Sequence, residues 1–146
     1  MKINPLVMIG VLLTTACQNR EQTQINILEK DVMMIHDAVM PKMGELVVLE
    51  NAIRRQITQT DSLPKITPNH SALNQLLEQS IRLSSQLKQA DDAIMNWMHH
   101  YRGDSLRQLL PSQAIQAFTQ EKIKIEQVSD DMLKSIEETQ NFLKQQ

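Results

Sequence analysis

Apolar side chains recur at three- and four-residue steps along most of this chain, the spacing of one face of an α-helix. The first such stripe runs from about Gln24 to Thr60 through Ile25, Leu28, Val32, Ile35, Val39, Met43, Leu46, Ile53 and Ile57. Pro41 interrupts it. Because the stripe keeps its phase across the proline, the pattern predicts one kinked helix; the alternative is a second helix with Pro41 at its first position. Asp61, Ser62, Pro64 and Pro68 mark a loop over Thr60 to His70. A second helix is predicted from about Asn69 to Tyr101, with Leu73, Leu76, Leu77, Leu87, Ile94, Met95 and Met98 on one side and Gly103 as its stop. Between Asp104 and Pro111 there is room for one helical turn. Ser112 is a candidate N-cap for a third helix carrying Ile115, Phe118, Ile125, Met132, Ile136 and Leu143 to the end of the chain. Short connections make successive helices antiparallel neighbours. The expected fold is therefore all-α, an elongated up-down-up three-helix bundle with helices on the order of 45 to 55 Å long at 1.5 Å per residue.

Composition supports helices over sheet. Gly 3, Pro 5, Phe 2, Tyr 1 and Trp 1 are few for a strand-rich protein, while Gln, Leu, Ile, Met, Lys and Glu favour helix. A formal net charge of -2 without a basic stripe argues against a nucleic-acid partner and gives no steering towards anionic lipid.

The N-terminus reads as a targeting segment. Lys2 gives a positive start, Leu6 to Leu13 form an apolar run too short to span a bilayer, and Thr14, Thr15 and Ala16 lead to Cys17. Leu13-Thr14-Thr15-Ala16-Cys17 resembles the lipobox of bacterial lipoproteins, with Thr14 where that motif usually has Leu. The resemblance implies cleavage before Cys17 and fatty acylation, palmitate being a typical chain. The expected layout is a signal peptide over 1–16, a polar tether over 17–23 and a bundle over 24–146. Gln18, rather than Asp, after the cysteine implies sorting to the outer membrane, facing the periplasm. As the sole cysteine, Cys17 excludes a disulfide framework.

Enzyme chemistry has no foothold in the pattern. Gly-rich phosphate loops and nucleophile–base motifs are missing, and the adjacent acids Asp91–Asp92, Asp130–Asp131 and Glu137–Glu138 point to different sides of a helix. One constellation stands apart. Met33, His36, Met40 and Met43 share a stripe at the flank of the first helix, and Asp91, Met95, Met98 and His99 share one on the second. In a hairpin turning near Pro64 and Lys65, positions whose numbers sum to about 130 face each other, given equal rise on both helices. That sets His36 against Met95, Met40 against Asp91, and Met33 against Met98 and His99. Thioethers with imidazole are the ligands that select Cu(I). Trp97 would suit such a site, but it lies about 100° from Met98 and is directed towards the third helix. Two other readings use the same residues: a zinc site from His36, Asp91 and His99, and plain core, in which Met fills gaps and His36 pairs with Asp91 to set register. His70, His100, Lys42, Arg54 and Arg55 read as surface.

The block Ile35-His36-Asp37-Ala38-Val39-Met40-Pro41-Lys42-Met43-Gly44-Glu45-Leu46, with Ala93-Ile94-Met95-Asn96-Trp97-Met98-His99, resembles a family of small bacterial lipoproteins that often carry the label viral A-type inclusion protein. The resemblance implies a helical lipoprotein and brings no activity with it. Ala38 departs from the family pattern, which has an acid there. The function expected is that of a membrane-anchored, non-enzymatic bundle, either binding Cu(I) through the Met/His cluster or docking an envelope protein with that cluster as core.

Overall fold

A computed structural model of the chain describes residues 5–63 and 70–145, with side chains over 19–63 and 71–145. Residues 64–69 of the expected loop, and the side chain of Cys17, lie outside the described residues. The elements are α1 (Pro5–Val39), a 3-10 turn (Met40–Lys42), α2 (Met43–Asp61), α3 (His70–His100), a short α4 (Gly103–Arg107) and α5 (Pro111–Lys144). Among the described residues all regular structure is helical, and the three long rods form the expected up-down-up bundle.

Pro41 acts as the pattern predicted. Lacking an N–H and clashing with the preceding turn, it breaks the α ladder but leaves the chain right-handed: Val39 has φ -92 and ψ -23, Lys42 φ -77 and ψ -14. The N–H of Met43 donates to the Met40 carbonyl, closing a tight turn before α2 begins. Ile25, Val32, Val39, Leu46, Ile53 and Thr60 are all buried, so the core row crosses the kink in phase. Residues 19–23, assigned to the tether, continue α1, and Thr23 Oγ1 donates to the Asn19 carbonyl at 2.8 Å.

Each rod buries positions at a seven-residue spacing. On α3 these are Leu83, Ala90 and Trp97, with Ser80, Leu87 and Ile94 beside them; on α5 they are Phe118, Ile125, Met132 and Thr139, with Ala114, Ser135 and Phe142. A sustained repeat of seven on a helix of 3.6 residues per turn drives a left-handed supercoil. The buried hydroxyls satisfy themselves locally: Ser80, Ser135 and Thr139 donate to the carbonyls of Leu76, Met132 and Ser135 at 2.8 to 2.9 Å. This spacing also corrects the expected core of α3. Met95 is exposed, and Leu83, Ala90 and Trp97 take the inward row instead.

Two helix ends differ from expectation. Gly103 does not stop α3 through a left-handed turn, since no glycine described has positive φ. It begins α4 and is small because Tyr101 lies against it: a Cβ there would sit 2.9 Å from the Tyr101 hydroxyl oxygen and 3.1 Å from its ring. At α5, Leu110 rather than Ser112 is the N-cap and gives no side-chain bond. Pro111 at the first position has no N–H requiring a partner.

Polar bonds fix the register. Lys122 donates to Asp31 at 2.7 Å and Gln140 donates to Glu45, so α5 runs parallel to α1 and α2. Gln86 donates to Glu138 at 3.2 Å and Trp97 to Glu121 at 3.1 Å, which makes α3 antiparallel to α5.

Candidate soft-metal site

The seven-residue scheme decides which side chains line each seam. Beside the buried row of α1 and α2 runs a flanking row of His36, Met43 and Glu50, and outside it a row of Met33, Met40 and Val47. On α3, Gln86 and Ala93 flank the core on the α5 side, so the opposite flank, Ser84, Asp91 and Met98, faces α1 and α2, with Lys88 and Met95 beyond it. Electrostatics agree: the pKa of Lys88 is raised first by its hydrogen bond to Asp92 and then by the charges of Asp92, Asp91 and Glu50.

By register His36, Met40 and Met43 share the flank of the first rod turned towards α3, and Asp91, Met95 and Met98 share the flank of α3 turned towards it, while Met33 lies nearer the α4 end, beside Tyr101 and Arg102. Met40, Met43 and Met98 are half-buried against the main core. Met33 and Met95 stand at the rim, 37% and 52% exposed. His99 is left out: it lies on the outer face of α3, its ring edge-on to His100 at 5.2 Å. Consistent with that separation, no three His, Cys, Asp or Glu residues gather into a metal-binding group among the described residues, so His36, Asp91 and His99 do not assemble the zinc alternative.

His36 has the best-defined surroundings of the set. Its side chain is 18% exposed, and Nδ1 lies 2.9 Å from Asp37 Oδ1. A carboxylate only accepts, so Nδ1 is the donor, and Nε2 is the ring nitrogen left open to another partner. The carboxylate partner is Asp37 and not Asp91, as the buried-pair reading had it. Asp91 instead adds to the field on Lys88.

Trp97 faces the third helix, as its phase predicted, and also meets His36. Its Nε1–H donates to Glu121, while its ring lies 5.6 Å from the His36 ring and stacks on Tyr101 at 4.9 Å. The opposing numbers, 36 and 97, sum to slightly more than the 130 expected. Tyr101 is pushed up to about 12 by burial first and by the charge of Glu29 second. Trp97 and Asp37 are the two neighbours of His36 that the spacing of Met and His did not identify. Trp97 was legible in the row of Leu83 and Ala90; Asp37, one residue along, carried no periodic signal.

On its far side Trp97 borders a groove of about 920 Å³ between α3 and α5, lined also by Asn96, His100, Glu121 and Lys124. Within it Lys124 donates to Glu121 at 2.7 Å, and His100 Nδ1 lies 2.8 Å from the Asn96 carbonyl. No helix among the described residues is long and apolar enough to cross a membrane. Set against protein-family models, curated proteins and solved structures, the chain matches none.

Proposed function

We propose that this chain is a lipid-anchored, non-enzymatic helical bundle of the cell envelope, held at the periplasmic face of the outer membrane through Cys17, and that the seam between α1/α2 and α3 binds one Cu(I). The ligands are Nε2 of His36 and the thioethers of Met40, Met43 and Met98, with Met33 and Met95 at the rim where they can swing inward. Carrying this reading is the pairing of His36 with Asp37 on one side and half-buried thioethers on the other. A carboxylate on the second nitrogen fixes the tautomer and orientation of a ligating histidine, and thioether with imidazole suits a soft monovalent ion. A second reading, a docking module for an envelope protein, draws on the apolar residues exposed on the outside of the first rod.

The test is competition of the full-length, detergent-solubilised lipoprotein with a chromophoric Cu(I) chelator. One Cu(I) per chain is expected, with strong loss of affinity in His36→Ala and in the double variant Met40→Leu, Met95→Leu, and about 10- to 100-fold loss in Asp37→Ala. Leu nearly conserves the volume of Met, so the double variant should stay folded. No Cu(I) bound by the wild type, or binding that survives those changes, leaves the docking reading in its place. Anchoring is tested separately: Cys17→Ser should abolish fatty-acid labelling and release the protein from the membrane fraction.

A further inference from the structure

The first rod carries an apolar row on its solvent side. Ile27, Met34, Pro41 and Val48 follow one another at seven-residue steps, each two positions after a core residue, and Ile27, Met34 and Val48 are 55%, 57% and 65% exposed. Since the core row crosses the kink at Pro41 in phase, so does this one, and the four side chains share a face. Leu133 of α5 joins them. Its helix is bonded to the rod at Lys122–Asp31 and Gln140–Glu45, and that register sets exposed Leu133 level with Ala38 and Pro41. The solvent side of a bundle helix is normally polar, and a contiguous apolar face needs an explanation that scattered residues do not.

We propose that this face lies on the bilayer surface. The inference rests on the lipid anchor of the functional reading, and three observations favour a membrane over a protein as the occupant. Cys17 and Ile27 belong to one uninterrupted helix, α1. Ten residues of helix set Ile27 about 15 Å from the anchor, and Val48 is on the order of 45 Å away along the same rod. A tether of that length keeps the membrane at high effective concentration beside the face, so modest apolar area suffices. Two acids along the border are compensated, Asp31 by Lys122 at 2.7 Å and Glu45 by Lys42 at 3.0 Å and by Gln140, and Asp37, exposed between Met34 and Pro41, is paired with His36 Nδ1 at 2.9 Å. Glu126 sits within the field of Lys122. Ile, Met, Val and Leu then enter the headgroup boundary while α3, on the other side of the rod, faces the periplasm.

Because acylation consumes the only cysteine, a single introduced cysteine can be spin-labelled uniquely. The lipidated full-length protein would be reconstituted into phosphatidylethanolamine–phosphatidylglycerol vesicles with labels at Met34→Cys, Val48→Cys, Glu78→Cys or Ser85→Cys. The last two positions are exposed on the outer face of α3. Collisions with lipid-soluble oxygen should exceed those with a water-soluble nickel chelate at 34 and 48, and the order should reverse at 78 and 85. Vesicle flotation with 34 and 48 as aqueous as 85 overturns the membrane-facing arrangement and leaves the anchor standing. Labels at 34 and 48 shielded from both reagents mean a protein covers the face, which also overturns it. Failure of the wild type to float overturns both.

Discussion

The two seams of the first rod are built from different chemistry. Towards α5 it is joined by Asp31–Lys122 and Glu45–Gln140, directional bonds that permit one register. Towards α3 it presents His36, whose ring meets Trp97, and the half-buried Met40 and Met43, with Met98 on the facing flank, and among the described residues no ion pair crosses. Thioethers are flexible and polarizable, so that seam can adjust around a guest without breaking a hydrogen bond. One side of the rod sets the register of the bundle and the other is free to adapt. Both contact the same core, which is why an adaptable seam need not loosen the fold.

The largest expected effect lies in that shared core. Ile94→Ala on α3 and Ile125→Ala on α5, both fully buried, should each cost about 2 to 5 kcal/mol by denaturant unfolding. A smaller effect separates the seams. Lys122→Ala should lower stability only slightly, because both partners of its ion pair are partly solvated, and raised salt should remove most of that difference. Met43→Leu should cost less than about 1.5 kcal/mol and be indifferent to salt. Equal salt sensitivity in the two variants would erase the contrast. The smallest effect is at Tyr101, the only tyrosine. Its folded pKa is raised from 10.0 to about 12, so above pH 10 the unfolded chain ionises first. Stability contributed by the neutral ring is fully present below pH 10 and falls as pH rises towards 12. Phenolate absorbance of the native protein should therefore rise well above pH 10 and return to the ordinary midpoint in denaturant. Tyr101→Phe, which deletes a buried hydroxyl without a hydrogen-bond partner, should leave stability unchanged or slightly raised and remove this pH dependence.

Helix number, order and approximate ends were legible because apolar residues at steps of three and four leave little alternative to a helix. Pro41 was legible as a kink for the same reason: Val32, Val39 and Leu46 stay in phase across it. The inward face of α3 was harder to place. Met95 looked like core by hydropathy, while Ala90 and Ser80 did not, and only the seven-residue row shows that small residues there let the helices approach. Gly103 was noticed for a turn it does not make, because the pressure on it comes from the Tyr101 ring. Within the candidate site, the meeting of His36 with the stretch of α3 around Trp97 followed from equal helical rise. The exclusion of His99 and the pairing of His36 with Asp37 depend on rotational position and rotamer, which spacing does not encode.

Methionine methyl resonances test the Cu(I) seam most directly. In the full-length protein with carbon-13 methyl-labelled methionine, titration with Cu(I), or with Ag(I) as its redox-inert analogue, should shift Met40, Met43 and Met98, with Met33 and Met95 following if the rim closes. Met132, fully buried elsewhere in the core, and Met34, on the opposite side of the rod, should stay in place. Unmoved seam resonances, or shifts confined to exposed Met34, would contradict the account.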